Sequence, residues 1–485
     1  MPQLSPMEPR VKAALDSQFR PAVLWNRAYR ELVAASANPV PVKICLVRSD
    51  DTVSRHETTV LPHAGANAAL NRRYLERLLK FLLWQKGGWK VLVSGEEAIA
   101  AMLAGIYSPG GERAFDHGFL GKKIYGREMV IASCPESELP AARESGRHLG
   151  RHLDGCRIGF DLGGSDRKCA AVIAGKVVHS EEVPWNPYFQ HDPAYHIEGV
   201  HDSLKRAAAH LPRVDAIGGS AAGVYVNNEV RAASLFRGIG EDDFERHVRG
   251  MFLELKRRWG GVPFEVVNDG EVTALAGSLA LGENSVLGIA MGTSLAAGYV
   301  APDGSITPWL NELAFAPVDY REDAPADEWS GDRGCGVQYF SQQGVARLAP
   351  AAGLHFPAEM PLAERLAQVQ ELMKTGDPRA VKIYQTIGTC FGYTVAHYAE
   401  FYELRNLLVL GRVASGEGGE LILASARQVL AEEFPELAGA IIMATPNEQD
   451  KRHGQAIAAA SLPELASATE PAETGAARIS GSGRV

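Results

Sequence analysis

Asp161 follows Arg157-Ile158-Gly159-Phe160 and is followed by Leu162-Gly163-Gly164-Ser165-Asp166-Arg167-Lys168 and an apolar run, 169–173. That pattern predicts a strand, a tight turn holding two glycines and a hydroxyl, and a returning strand. Glycines let backbone N–H groups approach anionic oxygens, and Ser165 and Lys168 beside them add donors. At the strand end, Asp161 could hold Mg²⁺ through water, because that ion keeps much of its hydration. The plainer reading is a β-hairpin with a Gly-Gly turn.

Three more segments have types and spacings that could do chemistry. Phe264-Glu265-Val266-Val267 delivers Asn268 and Asp269 to the start of a helix over 272–280. A carboxylate at such a junction can serve as a general base, although Asn and Asp are also the commonest helix caps. The strand 286–291 leads into Gly292-Thr293-Ser294 and back through 295–300, a small hydroxylated turn suited to the outer phosphates of a nucleotide. Finally, the strand 406–410 feeds Gly411-Arg412-Val413-Ala414-Ser415-Gly416 and a helix from about 419. An adenine or a phosphate can rest at that helix start. Each segment also reads as an ordinary turn.

The elements that carry these residues fall into four regions. The first, 1–150, is mixed α/β. Alternating runs at 42–47 and 56–60 flank Ser49-Asp50-Asp51. A helix over 71–85 places Leu75, Leu78, Leu79 and Leu82 on one face before Gly87-Gly88 stops it, and a buried strand follows at 89–93. It holds no chemical motif. A polar stretch, 144–154, joins it to the rest. His148 and His152 lie four apart there, a metal-binding spacing on a helix, but no carboxylate or cysteine completes a set. Region two is 151–280, with 446–462 returning to it, and region three is 281–445. The tail, 463–485, is too poor in apolar residues to order itself.

Length and composition set wider bounds. A chain of 485 residues suggests roughly three units. With 46% hydrophobic and 22% charged residues it has the mix of a soluble globular protein. The net charge of −9 (49 Lys+Arg against 58 Asp+Glu), with no basic block, argues against a nucleic-acid partner. Six scattered cysteines without a CxxC pair fit reduced thiols, and no signal or membrane-spanning run is present; the cytoplasm is the expected location.

Taken in order, the four segments resemble the actin–hexokinase superfamily and, within it, the ROK family of bacterial sugar kinases and sugar-responsive repressors. DLGGSDRK is similar to that family's first phosphate loop, VVNDGEVTALAG to its Asn-Asp helix start, and GIAMGTSLAAGYV to its second phosphate loop. LLVLGRVASGEGG is similar to its adenosine segment and HGQAIAAAS to its closing helix. The resemblance covers roughly residues 155–462. It implies two ribonuclease H-like α/β lobes with a cleft between them, here with an extra N-terminal α/β domain.

The resemblance also implies roles. Asp269 would be the base for an attacking hydroxyl, with Asn268, Glu312 and Ser220 binding the substrate. Gly163, Gly164, Ser165, Lys168, Gly292, Thr293 and Ser294 would hold the phosphates of ATP. Gly411 and Arg412 would seat its adenosine, and Asp161 would organise Mg²⁺. The partner would be a small sugar or polyol, with a homodimer as a possible assembly.

Two departures stand out. Where the family has Gly-Glu-x-Gly-His, this chain has Asn311-Glu312-Leu313-Ala314-Phe315; where it has a cysteine-rich zinc loop, only the Gly331-x-x-Gly334-Cys335 frame survives. One thiol cannot build a tetrahedral site, so no structural zinc is expected. Besides these two, the second phosphate loop carries Ser294, Leu295, Ala296 and Ala297 where the family often has glycines. A sensor that binds sugar or nucleotide in the same cleft without chemistry is therefore the alternative to a kinase. Sugar, amino sugar, sugar acid and cyclitol all stay open as ligands.

Overall fold

In a computed structural model, the placement of residues 4, 8–49, 52–144, 148–445 and 448–465 is described. The tail beyond 465 lies outside them. Among the described residues, thirteen strands build three main sheets and two more form a small hairpin.

The first sheet contains β1 (Val40–Val47), β2 (Val53–Val60), β3 (Lys90–Ser94) and β4 (Val130–Ser133), ordered β2-β1-β3-β4. β1 is antiparallel to both neighbours, and β3 runs parallel to β4. The helix Ala66–Lys86 covers it. Its leucines are buried as their spacing predicts, but so is everything else from Tyr74 to Gln85, including Glu76, Arg77 and Lys80. This is an interior helix, not an amphipathic surface one.

The second sheet holds β5 (Cys156–Leu162), β6 (Asp166–Ile173), β7 (Lys176–Pro184), β8 (Ala216–Ala221) and β11 (Phe264–Asn268), ordered β11-β8-β5-β6-β7. A small hairpin, β9 (Val224–Val226) and β10 (Glu229–Ala232), follows β8. The third sheet holds β12 (Val286–Met291), β13 (Leu295–Val300), β14 (Asn406–Leu410) and β15 (Ile442–Ala444), ordered β13-β12-β14-β15. The two sheets repeat one plan: a hairpin (β5–β6, β12–β13) whose first strand pairs in parallel with a later strand (β8, β14).

The helix Asp269–Leu281 leaves β11 of the second sheet but lies on the third: Gly298 of β13 approaches it so closely that a Cβ there would meet the Gly270 carbonyl oxygen at 2.2 Å. The closing helix Glu448–Ala460 presses on the second sheet at paired glycines of β5 and β8. A Cβ on Gly159 would sit 2.1 Å from the Ala456 carbonyl oxygen, and one on Gly218 only 1.7 Å from that of Ala459.

The cores do not follow the sheets one for one. Residues of the first sheet and the helix Ala66–Lys86 share a single apolar cluster with the third sheet and its helices, from Ala13 to Met443. The second sheet has its own cluster, from Ile158 to Val266. A small third cluster, Val272 to Leu462, packs the helix Asp269–Leu281 against the closing helix.

Candidate functional site

Parallel strands that end together place their following residues on one edge, where α/β sheets bind ligands. β5, β8 and β11 do this here. Asp161 pairs across with Ser220, Ala221 pairs with Asn268, and Asp269 comes next. The expected hairpin turn follows β5. Gly163 N–H donates to the Asp166 carbonyl at 3.0 Å, and the Trp185 indole donates to the Gly163 carbonyl at 2.7 Å. Ser165 is exposed at the tip, with its hydroxyl on Asp166 at 2.8 Å.

Lys168 and Arg167 part company. Lys168 is directly across from Asp161, and its Nζ lies 3.2 Å from Asp166 and 3.9 Å from Asp161. Arg167 points to the opposite face, donates to Ser203 at 3.1 Å and is buried beside Trp185. Only Lys168 shares a face with Asp161. A cavity of about 250 Å³ opens beside them, lined by Asp161, Lys168, Glu182 and Gln455 of the closing helix.

Three carboxyl groups stand in series along this edge. Burial raises Asp161 above the usual carboxylate range, and the Ser220 hydroxyl and Lys168 oppose that rise. Burial, and then the neighbouring charge of Asp161, pushes Asp269 up to about 6. Burial, and then Asp269, pushes Glu312 up to about 7. The Glu312 carboxylate has no hydrogen-bond partner among the described residues, so it is available to a ligand. Asn268 is a helix cap and more: its carbonyl oxygen accepts from Gly270 N–H at 2.7 Å, and its amide donates to the Gly223 carbonyl at 2.7 Å. It ties the turn after β8 to the start of the helix that carries Asp269.

The second turn, Gly292-Thr293-Ser294, leaves Thr293 and Ser294 exposed. Leu295 and Ala297 turn into the core, away from the turn. The loop after β14 abuts this strand end, with Val413 N–H donating to the Met291 carbonyl at 3.0 Å. Gly411 has a positive φ of 95°, and a Cβ there would meet the Met291 carbonyl oxygen at 2.4 Å, so no other residue fits. Arg412 is exposed. Beyond it, Ser415, Gly416, Gly418, Lys374 and Tyr384 line a cavity of about 190 Å³. The buried Tyr384 hydroxyl has no partner there.

What fixes Glu312 comes largely from the first region. Asn311 N–H donates to the Gln85 carbonyl at 2.8 Å and Glu312 N–H to the Trp84 carbonyl at 2.9 Å, so the last turn of the helix Ala66–Lys86 holds this loop. The Asn311 amide donates to Glu271 at 2.6 Å, and its carbonyl accepts from the Tyr402 hydroxyl at 2.8 Å. Glu271 lies on the same helix as Asp269, and one short bond chain therefore links Asp269 to Glu312. Phe315 stacks on Trp84 with centroids 4.2 Å apart.

The loop that keeps the Gly331-x-x-Gly334-Cys335 frame is held by charge. Asp332 receives Lys80 Nζ at 3.2 Å, Arg77 at 3.2 Å and Arg113. Lys80 also binds Asp116 at 2.8 Å, and Arg77 binds Glu76 at 2.6 Å. Three cations thus face three carboxylates, with the Cys335 thiol 3.7 Å from Asp332. No group of three or more metal-binding side chains occurs among the described residues. His148 and His152 are not on a helix; His152 contacts the His148 carbonyl at 3.2 Å.

No protein-family model matches the sequence, and no curated protein does. Solved structures do match. A ROK hexokinase from Thermus thermophilus superposes with a TM-score of 0.51 at 19% identity, over 64% of this chain and 98% of that one. A ROK family transcriptional regulator, a homologue of the E. coli MLC protein, gives 0.50 at 19% identity, over 62% and 77%. The chain has the ROK fold.

On this ROK fold the sequence reading located the strand ends and turns but missed four contributors: Glu271, Tyr384, Lys374 and the end of the helix Ala66–Lys86. Glu271 sits two residues after Asp269, and its position in the first turn of a buried helix was the available signal. Lys374 and Tyr384 lie on helices with no motif. No helix among the described residues is long and apolar enough to cross a membrane.

Proposed function

We propose that the protein transfers the terminal phosphoryl group of ATP to a hydroxyl of a small sugar or sugar-like polyol. The observation that carries this reading is Asp269: a carboxyl at a sheet edge, raised to about 6, between Asp161 and the unpartnered Glu312. A base poised near neutrality can take the proton of an attacking hydroxyl as its oxygen bonds to phosphorus, with ADP leaving. Glu312 and the second Asn268 amide hydrogen would orient neighbouring hydroxyls. Gly163, Gly164, Ser165, Lys168, Gly292, Thr293 and Ser294 would hold phosphates. Gly411, Arg412 and the cavity at Tyr384 would take the adenosine.

Mg²⁺ fits these residues. The charge of Asp161 raises Asp269 and that of Asp166 raises Asp161, with the Ser220 hydroxyl and Lys168 set against the second, a repulsion that a divalent cation relieves. When bound, the ion would neutralise phosphate charge. The cytoplasm suits a protein that draws on ATP.

Mg·ATP-dependent phosphorylation across sugars, sugar acids and cyclitols, run beside Asp269→Asn, tests the proposal. Turnover of one compound that collapses in the variant supports it. The competing reading, a sensor, draws on the fold shared with a regulator. It takes over if ligands raise the melting temperature while no compound is phosphorylated.

A further inference from the structure

A second cavity, of about 300 Å³, lies between the first region, the end of β11 with the hairpin beside it, and the segment before Glu312. Asn268 and Glu271 form its inner end. Gly223 and Asn228 come from the turn and hairpin after β8, and Thr307 and Trp309 from the segment before Glu312. Its outer wall belongs to the first region: Arg48, Thr52, Tyr125 and Arg143. This wall has a surplus of positive charge. Arg48 and Lys86 share one carboxylate, Glu144, at 3.2 and 3.3 Å. Glu144 is already saturated, accepting also from Ser54 at 2.7 Å and from the Trp309 indole at 2.9 Å. Arg143 is exposed and makes no ion pair among the described residues. Three cations, two of them in the lining, therefore have one carboxylate, Glu144, among them.

The inner end does not cancel that surplus. Burial pushes Glu271 up to about 8, which leaves it uncharged at neutral pH. Glu265 accepts from the Asn228 amide at 3.2 Å, a neutral donor that removes none of its charge, so the surplus is cut to one cation. Two buried donors, Arg48 Nε and the Thr307 hydroxyl, have no acceptor among the described residues. Arg48 is only 2% exposed, so its unpaired N–H has no bulk water to turn to. A buried donor left unpaired costs free energy that a ligand oxygen would recover.

We propose that this cavity receives an anionic arm of the substrate, a carboxylate or a phosphate, while the reacting hydroxyl lies at Asp269. The inference rests on the kinase reading for the hydroxyl and makes the substrate an acidic sugar or acidic polyol. It gives the first region a direct part in specificity. Arginine suits this task because its planar donors match carboxylate and phosphate oxygens.

Binding without ATP tests it apart from turnover. Matched triplets of a neutral hexose, its hexuronate and its 6-phosphate, from several sugars, are titrated calorimetrically into the full-length protein, Arg143→Ala and Arg143→Lys. The acidic member of at least one triplet should bind at least about tenfold more tightly than its neutral partner, the worth of one charge-assisted contact. That preference should weaken with salt, shrink about tenfold in Arg143→Ala and partly return in Arg143→Lys. Carboxylate and phosphate arms are told apart by which acidic member binds. Equal binding of neutral and acidic members, no binding by any triplet, or an acid preference untouched in Arg143→Ala overturns the inference. Phosphorylation of a neutral sugar alone would leave the kinase reading standing and remove this one.

Discussion

Asp269 holds its proton to about pH 6, and that one fact pulls turnover and stability in opposite directions. A base works once ionised, so kcat/KM should rise through about pH 6 and level off above it. For stability, the folded pKa lies above the unfolded one, so the folded state favours the protonated group. The penalty for ionising it is absent at low pH and complete above pH 6. Asp269→Asn should therefore abolish turnover yet raise the melting temperature at pH 8, with the gain fading towards pH 4; melting curves across that range check it. From its own segment this residue was legible as a helix start, and as a base only through the resemblance, because Asp161 and Glu312, its neighbours in space, lie far off in sequence. Glu312 was legible by resemblance alone, since its partners Trp84 and Gln85 lie more than two hundred positions away.

The element that sequence reasoning placed least well is the helix Ala66–Lys86. A leucine stripe usually marks a surface helix whose charged residues, on the opposite face, are solvated. Instead Arg77 and Lys80 meet Asp332, a partner that no local pattern reveals. Removing one member of such a set leaves buried charges uncompensated, at about 3–5 kcal/mol. Lys80→Met should lose about that much in denaturant unfolding, and Asp332→Asn added to it should return part of the loss. The single variant should also raise substrate KM while ATP KM stays unchanged, because the helix end holds Glu312. The closing helix offers a sharper case. Gly218→Ala places a methyl where the Ala459 carbonyl oxygen sits, so the helix must lift. Such overpacking costs about 1–3 kcal/mol and should lower the melting temperature measurably.

Across the whole molecule there are two large cores, not one per sheet. Calorimetry should resolve two transitions. Phe160→Ala should lower only that of the second sheet, and Trp84→Ala only that of the first and third, each through a lost buried ring worth about 3–5 kcal/mol. A common shift of both would mean the lobes unfold together. The two-lobed plan was legible only through the resemblance that the turn motifs in series carry; the shared core was not, because hydrophobic patterning marks a buried face without naming what covers it. That core has a consequence for synthesis. Arg77 and Asp332 are 255 residues apart, with the second sheet between them. At roughly 5–20 residues per second, the helix Ala66–Lys86 leaves the ribosome on the order of ten to fifty seconds before its partners exist. In that interval the second lobe can fold behind it. The earliest part of the chain thus waits longest for its interior, a natural client for a chaperone.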